Sequence, residues 1–205
     1  MRHFDAITLS MGDITHAQGD AIINAAAPEL LGGGGVDGAI HDAAGPELLA
    51  ACRRVPALDG VRCPPGEARI TPGFKLDVGH VIHTVGPVYR GTETSGPVLI
   101  RAYRACLNMA RTHDLKRLVF PAISCGVYGY PPRDAADIAL TTCRDHGHDL
   151  DEIHFVLFSA AMYNVWVERA ERHLSGPSSA PQESCLLYTS PSPRDATLSR
   201  MPSSA

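Results

Sequence analysis

The chain has 205 residues, a formal net charge of -4 and a pI of about 6.2, with 44% hydrophobic and 20% charged residues. These values fit one globular domain plus a tail and exclude bulk attraction to nucleic acid or to an anionic membrane. No apolar run approaches the roughly 20 residues of a membrane-spanning helix, the start Met1-Arg2-His3-Phe4-Asp5 lacks a signal-peptide pattern, and the six cysteines fall without a CxxC pair. A cytoplasmic protein with reduced thiols and no bound metal is expected.

Residues 4–11 read as a strand that ends in a turn at Gly12-Asp13-Ile14, and the apolar run 21–25 is long enough for a buried strand. A glycine turn over 31–38 leads into a helix over 38–54, with Ile40, Ala44, Leu48, Leu49 and Cys52 at helical spacing. After a loop at 63–66, strands are expected over 67–71 and 80–85, then a helix over 97–111 with Pro97 tolerated at its start. The remaining elements are a strand over 116–123, a glycine-bearing loop over 124–132, a helix over 133–146, a strand over 152–158 and a helix over 160–173. Strands alternating with helices imply an α/β layered domain. At Ser175 the composition turns to Ser and Pro without a sustained apolar period, which predicts a disordered tail over 175–205. Its stretch from Leu187 onward resembles translated vector or adaptor DNA and is set aside as non-native.

The most informative stretch is Leu31-Gly32-Gly33-Gly34-Gly35-Val36-Asp37-Gly38. Four consecutive glycines leave the main chain bare between a strand and a helix N-terminus, where phosphate is readily held. Gly33-x-Gly35-x-x-Gly38 formally matches a dinucleotide-binding fingerprint. Against that reading, the segment Asn24 to Leu30 separates strand from glycines, and the acid sought about 20 residues on would be Asp59, in a loop. A flexible turn without ligand is the bland alternative. Asp37 would repel phosphate, so its carboxylate points to chemistry or to ribose hydroxyls. A second loop, Phe120 to Pro131, also runs from strand end to helix start, and two such loops can grip one diphosphate from both sides. Small residues at Ser124, Gly126 and Gly129 let N–H groups face the anion, and Tyr128 either closes over a sugar or is an exposed turn aromatic.

Together these pieces resemble a macrodomain of the MacroD type. The matching residues are Gly12-Asp13-Ile14-Thr15, Ile23-Asn24-Ala25-Ala26, Leu31 to His41 with Ala43-Ala44-Gly45-Pro46, Val81 to Pro87, and Phe120 to Pro131. The resemblance implies a three-layer α/β/α fold over residues 1–174 with a central mixed, mostly parallel sheet. It also implies ADP-ribose bound at the C-terminal strand ends, and hydrolysis of ADP-ribose esters without metal or cofactor. Asp13 resembles the acid that accepts the adenine amino group, with Ile14 offering its N–H; a simple turn role for Asp13 stays open. Asn24 resembles the first asparagine of the family's Asn-Ala-Ala-Asn motif, set to orient the distal ribose or brace the loop. Gly34, Gly35, Val36 and Asp37 resemble the catalytic loop, with Asn24, Gly35 and Asp37 as catalytic residues. Ser124, Cys125, Gly126, Val127 and Tyr128 resemble the loop for the diphosphate and distal ribose. Phe158 matches an aromatic that stacks on adenine, with core burial as its alternative. ADP-ribose and ADP-ribosylated proteins are the implied partners, and a monomer that avoids membrane and nucleic acid is expected.

Two departures stand out. Ala27 replaces the last asparagine of the motif, an amide that faces the reacting sugar. Loss of one positioned donor lowers rate by roughly 100- to 1000-fold, so either a weakened hydrolase or a non-catalytic reader is implied. Cys125 replaces a threonine; its thiol is either acidified among N–H groups or simply a small loop residue. An exposed Asp37 near the ordinary value of about 3.9 is a weak base, so positioning is expected to outweigh basicity. His83 reads as a satisfied core histidine and His41 as locally packed. His146-x-His148 is too sparse for a metal, and Ser124 has no triad partners in pattern.

Overall fold

The computed structural model describes residues 1–174. The expected tail over 175–205 lies outside the described residues. Seven strands, β1 (Arg2–Phe4), β2 (Ile7–Met11), β3 (Ala21–Ala25), β4 (Ala68–Pro72), β5 (His80–Thr84), β6 (Arg117–Phe120) and β7 (Glu152–Leu157), form one sheet in the order β1-β2-β7-β6-β3-β5-β4. The inner pairs are parallel, whereas β1 on β2 and β4 on β5 are antiparallel. Five helices flank it: α1 (Gly35–Ala44), α2 (Pro46–Arg54), α3 (Thr92–Thr112), α4 (Pro132–His146) and α5 (Ala160–His173).

Alternation along the strands divides the apolar residues into two cores. Ala21, Ile23, Ile82, Leu118, Phe120, Ile153, Phe155 and Leu157 face α3, α4 and α5. Ile22, Val81, Val119 and Val156 face α1 and α2, where Ile40, Ala44, Leu48 and Cys52 cover them. This is the expected three-layer arrangement. At the centre of the larger core, Tyr103, Phe120 and Phe155 pack with ring centroids 5.5–6.4 Å apart. All five cysteines of the described residues are free thiols, and no helix among those residues is long and apolar enough to cross a membrane.

Besides shifts of one to three residues at several strand ends, such as β6 ending at Phe120 and not at 123, the elements depart from the sequence reading at four places. The strand expected over 4–11 is a hairpin, β1 and β2, turned at Asp5, whose φ of +50° is a conformation that Asp tolerates. The helix expected over 38–54 begins earlier, at Gly35, and is broken into α1 and α2 at Gly45. There φ is +85° and ψ 176°, a region reserved for glycine, and Pro46 then starts α2 with no N–H to satisfy. The helix expected from Pro97 starts at Thr92. Pro97 therefore lies inside it, on the solvent side, where water can satisfy the carbonyl it leaves without a donor. The strand expected over 152–158 ends at Leu157, which releases Phe158 from the sheet.

Gly45→Ala should destabilise the protein by about 1–3 kcal/mol, read from urea unfolding. A Cβ there would also meet the Glu47 carboxylate oxygen at 2.9 Å and the Lys75 side chain at 3.2 Å.

Candidate active site

Parallel strands β2, β7, β6, β3 and β5 all end at the same edge of the sheet, and the loops that leave them enclose a crevice. It consists of two adjoining cavities of about 410 and 310 Å³ that share Gly35, Val36, Ala122 and Gly126 in their walls. Asp13, Ile14, Cys125, Phe158 and Met162 line the larger one. Ala27, Gly34, Asp37, Ser124, Val127 and Tyr128 line the smaller one. The expected site residues therefore converge, with one exception. Asn24 is fully buried beneath the crevice and lines neither cavity.

Glycine main chain borders the middle of the crevice. Gly34 caps α1 without a side-chain hydrogen bond, so the first-turn N–H groups are open to an external acceptor. A Cβ on Gly34, Gly35 or Gly126 would meet no atom within 4 Å, which marks these backbones as bare on their crevice side. Gly38 is glycine for packing, because a Cβ there would come 2.6 Å from the Gly33 carbonyl oxygen, which folds over the first turn. Across the crevice, the second loop is closed by Gly129 N–H donating to Gly126 O at 2.9 Å and Tyr130 N–H to Ser124 O at 3.0 Å. Among the described residues, no internal acceptor takes the N–H groups of Gly126, Val127 and Tyr128. Ser124 holds φ of +66°, and its buried hydroxyl has no partner. Gly86 makes room for it: a Cβ at 86 would fall 2.1 Å from Ser124 Oγ.

Phe158 is 87% exposed just past the end of β7, on the wall of the larger cavity, which removes the core-burial alternative. Asp13 is exposed and takes two hydrogen bonds on one oxygen, from Thr15 N–H at 2.9 Å and Thr15 Oγ1 at 2.8 Å. Those bonds hold its carboxyl below the usual carboxylate range and leave the second oxygen for the cavity. Cys125 is no acidified thiol: burial pushes it up to about 12.

Asp37 corrects the sequence reading. It lies in the first turn of α1, not in the preceding loop, and is only 5% exposed. Burial raises its carboxyl above the ordinary aspartate value, partly offset by the Asn24 amide, which donates to Asp37 Oδ1 at 2.7 Å. His41, one turn along α1, places Nε2 3.5 Å from the same oxygen. One carboxylate oxygen is thus held from within the fold, while the residue lines the smaller cavity beside the glycines. Tyr128, across the smaller cavity, is raised by its own burial and by the charges of Glu29 and Asp37. Sequence reasoning missed Gly86 and Ala122 as wall residues. Gly86 sits inside a motif already singled out, but its steric role appears only when Ser124 is seen beside it.

A Macro domain family model matches residues 23–139. The chain belongs to the Macro domain family. A macro domain-containing protein of Vibrio parahaemolyticus is 48% identical over 169 residues, covering 82% of this chain and 99% of the relative. A Klebsiella pneumoniae protein named O-acetyl-ADP-ribose deacetylase is 49% identical over 160 residues, 75% of this chain and 91% of that one. Among solved structures, the Oceanobacillus iheyensis macrodomain with ADP matches at 44% identity and a TM-score of 0.76, covering 80% of this chain and 89% of that one. The Trypanosoma brucei macrodomain in complex with ADP-ribose matches at 40% identity and a TM-score of 0.70, covering 80% and 68% respectively.

The buried acid of this macrodomain has a stability consequence. Its folded-state pKa lies above the unfolded value, so stability falls as pH rises through that window. Asp37→Asn should therefore raise Tm at neutral pH, and the gain should shrink as pH drops below the ordinary aspartate value, read by thermal scans across pH.

Proposed function

We propose that this macrodomain binds ADP-ribose along the crevice and hydrolyses ADP-ribose esters, of the mono-ADP-ribosyl-Asp/Glu and O-acetyl-ADP-ribose kinds. The observation that carries this reading is Asp37: a buried carboxylate on the wall of the smaller cavity, held by the Asn24 amide at 2.7 Å. Beside it stand the open N–H groups of two facing loops, which suit a diphosphate. The larger cavity, with exposed Phe158 and the free oxygen of Asp13, suits the adenine end. Relatives named as deacetylases and structural neighbours solved with ADP or ADP-ribose support the same assignment.

In this reading the distal ribose occupies the smaller cavity, between the glycine loop and Tyr128. Asp37 orients a water at the ester carbon or the anomeric carbon and accepts its proton. Burial makes this carboxylate a stronger base than an exposed aspartate, so basicity adds to positioning. Gly35 contributes main-chain N–H and the absence of a side chain. The protein acts as a cytoplasmic monomer and needs no cofactor.

A specific residue favours a second reading. Ala27 lines the smaller cavity where the family motif carries an amide, and its methyl offers no hydrogen bond to the sugar. A reader of ADP-ribosylated proteins, binding without turnover, is the alternative. Incubation with a glutamate-linked ADP-ribosylated protein separates the two: free ADP-ribose marks the hydrolase, and retention of the intact modified protein marks the reader.

Asp37→Ala should keep ADP-ribose affinity by calorimetry within about tenfold and abolish ester hydrolysis, since positioning of the attacking water is lost while the phosphate contacts remain. Undiminished release of ADP-ribose would remove Asp37 from the reaction. Ala27→Asn should raise turnover by up to roughly 100-fold, the scale of one positioned donor; an unchanged kcat would mean the missing amide is not limiting.

A further inference from the structure

Behind the crevice a row of polar side chains crosses three strands on the α1–α2 face of the sheet. His83 on β5 is fully buried and pairs in register with Asn24 on β3. Its Nδ1 lies 3.1 Å from Asn24 Nδ2, and its Nε2 lies 2.9 Å from Thr71 Oγ1 on β4. The same Asn24 nitrogen donates to Asp37 Oδ1 at 2.7 Å.

Proton counting fixes the ring. An amide nitrogen carries two protons. One goes to the carboxylate, so the other faces His83 Nδ1, which must present its lone pair. The imidazole proton then sits on Nε2 and is donated to Thr71. This tautomer leaves His83 no lone pair for a cation shared with His41 and Cys52, although the three side chains bring their ligating atoms within 4.8 Å of one another. It also fixes the amide. A flipped Asn24 would set its oxygen against both the carboxylate and the Nδ1 lone pair.

We propose that His83 is a positioning residue for the reaction: anchored by Thr71, it holds the Asn24 amide with its N–H groups towards Asp37 and so orients the carboxylate. The inference rests on the reading of Asp37 as the group that directs the attacking water. Burial drives the His83 pKa down to about 3, which keeps the ring neutral and its Nδ1 lone pair available. The titratable groups around this row are His41 from α1, Cys52 from α2, Cys63 beside the His83 carbonyl, and Tyr128 across the cavity; Arg62 acts on Cys52. Burial pushes both thiols up to about 11, so they stay protonated.

Two measurements on the full chain test this. Nitrogen-15 NMR of labelled histidines should show His83 as the Nε2–H tautomer, untitrated from about pH 8 to pH 5. An Nδ1–H ring, or titration near the ordinary histidine value, would overturn the proposal even for a protein with no turnover. The second measurement follows hydrolysis of a glutamate-linked ADP-ribosylated substrate. His83→Leu removes the acceptor. Its kcat should fall on the order of tenfold or more, with KM and ADP-ribose affinity nearly unchanged, and the acid limb of the kcat profile should move to higher pH. His83→Asn, whose side-chain oxygen takes the place of Nδ1, should recover most of the loss. Equal losses in both variants, or a fall confined to KM with the limb unmoved, would leave His83 a purely structural residue. Should His83→Leu fail to fold, the NMR result and the limb of His83→Asn still decide. A wild-type protein that releases no ADP-ribose counts against the hydrolase reading, whereas the tautomer alone decides what His83 does to Asn24.

Discussion

A single hydrogen bond, from the Asn24 amide to the Asp37 carboxylate, joins the end of β3 to the first turn of α1 across a loop whose last stretch, Gly32 to Gly34, has no side chains to anchor it. The rest of that loop is fixed by its backbone. Ala26 N–H donates to Thr84 O at 2.9 Å, and Pro28 O accepts from the N–H groups of Arg62 and Cys63 at 2.9 and 3.0 Å. Leu30, at φ of +55°, drops its side chain into the smaller core. Between these ties the glycines keep a set path without filling the crevice. A bare backbone is useful to a ligand only if it is already in place, because ordering it on binding would cost about 1–2 kcal/mol per residue.

The same bond resolves a conflict in the charge layout. A carboxylate next to N–H groups that suit phosphate would repel the anion they are arranged to hold. Asp37 sits at the third position of α1, where the helix dipole favours an acid. Its Oδ1 is held by the Asn24 amide at 2.7 Å, while the residue still lines the smaller cavity together with Gly34, Gly35 and Val36. The acid is thus stabilised by dipole and amide and destabilised by burial. The destabilising part prevails, and the carboxyl is raised above the ordinary aspartate value.

Much of this was legible in the sequence because small residues and hydrophobic alternation leave clear marks. The bounds of β3 and α5 agree residue for residue with the reading, and both loops fall where glycine, proline and serine interrupt apolar runs. Other features depend on tertiary context. Gly45 sits within an unbroken helical period of Ile40, Ala44, Leu48 and Cys52, because α1 and α2 both cover the same sheet face across the break. The burial of Asp37 departs from the sequence reading for a related reason. Charged residues in glycine loops are usually solvated, and only the fully buried Asn24 on the neighbouring strand shows that this one is pulled inward. His83 was legible as a satisfied core histidine, but its partners lie 12 residues before it, on β4, and 59 before it, on β3, so no local pattern names them.

Three of the buried polar atoms without hydrogen-bond partners among the described residues lie around the crevice. Asn24 Oδ1, His41 Nε2 and Ser124 Oγ are buried without hydrogen-bond partners, and Ser124 holds a left-handed backbone beside Gly86. Each such feature costs on the order of 1–3 kcal/mol. At the opposite end of the sheet Asp20 takes the N–H groups of Lys116 and Arg117 at 2.7 and 2.8 Å, while the buried His80 Nδ1 has no partner. Unspent hydrogen-bonding capacity at the mouth of a crevice is what an incoming polar ligand can satisfy, and the two apolar cores let the fold tolerate its expense until then. Against that background Ala27 is informative as a subtraction. At the wall of the smaller cavity it contributes a methyl and no side-chain hydrogen-bonding group.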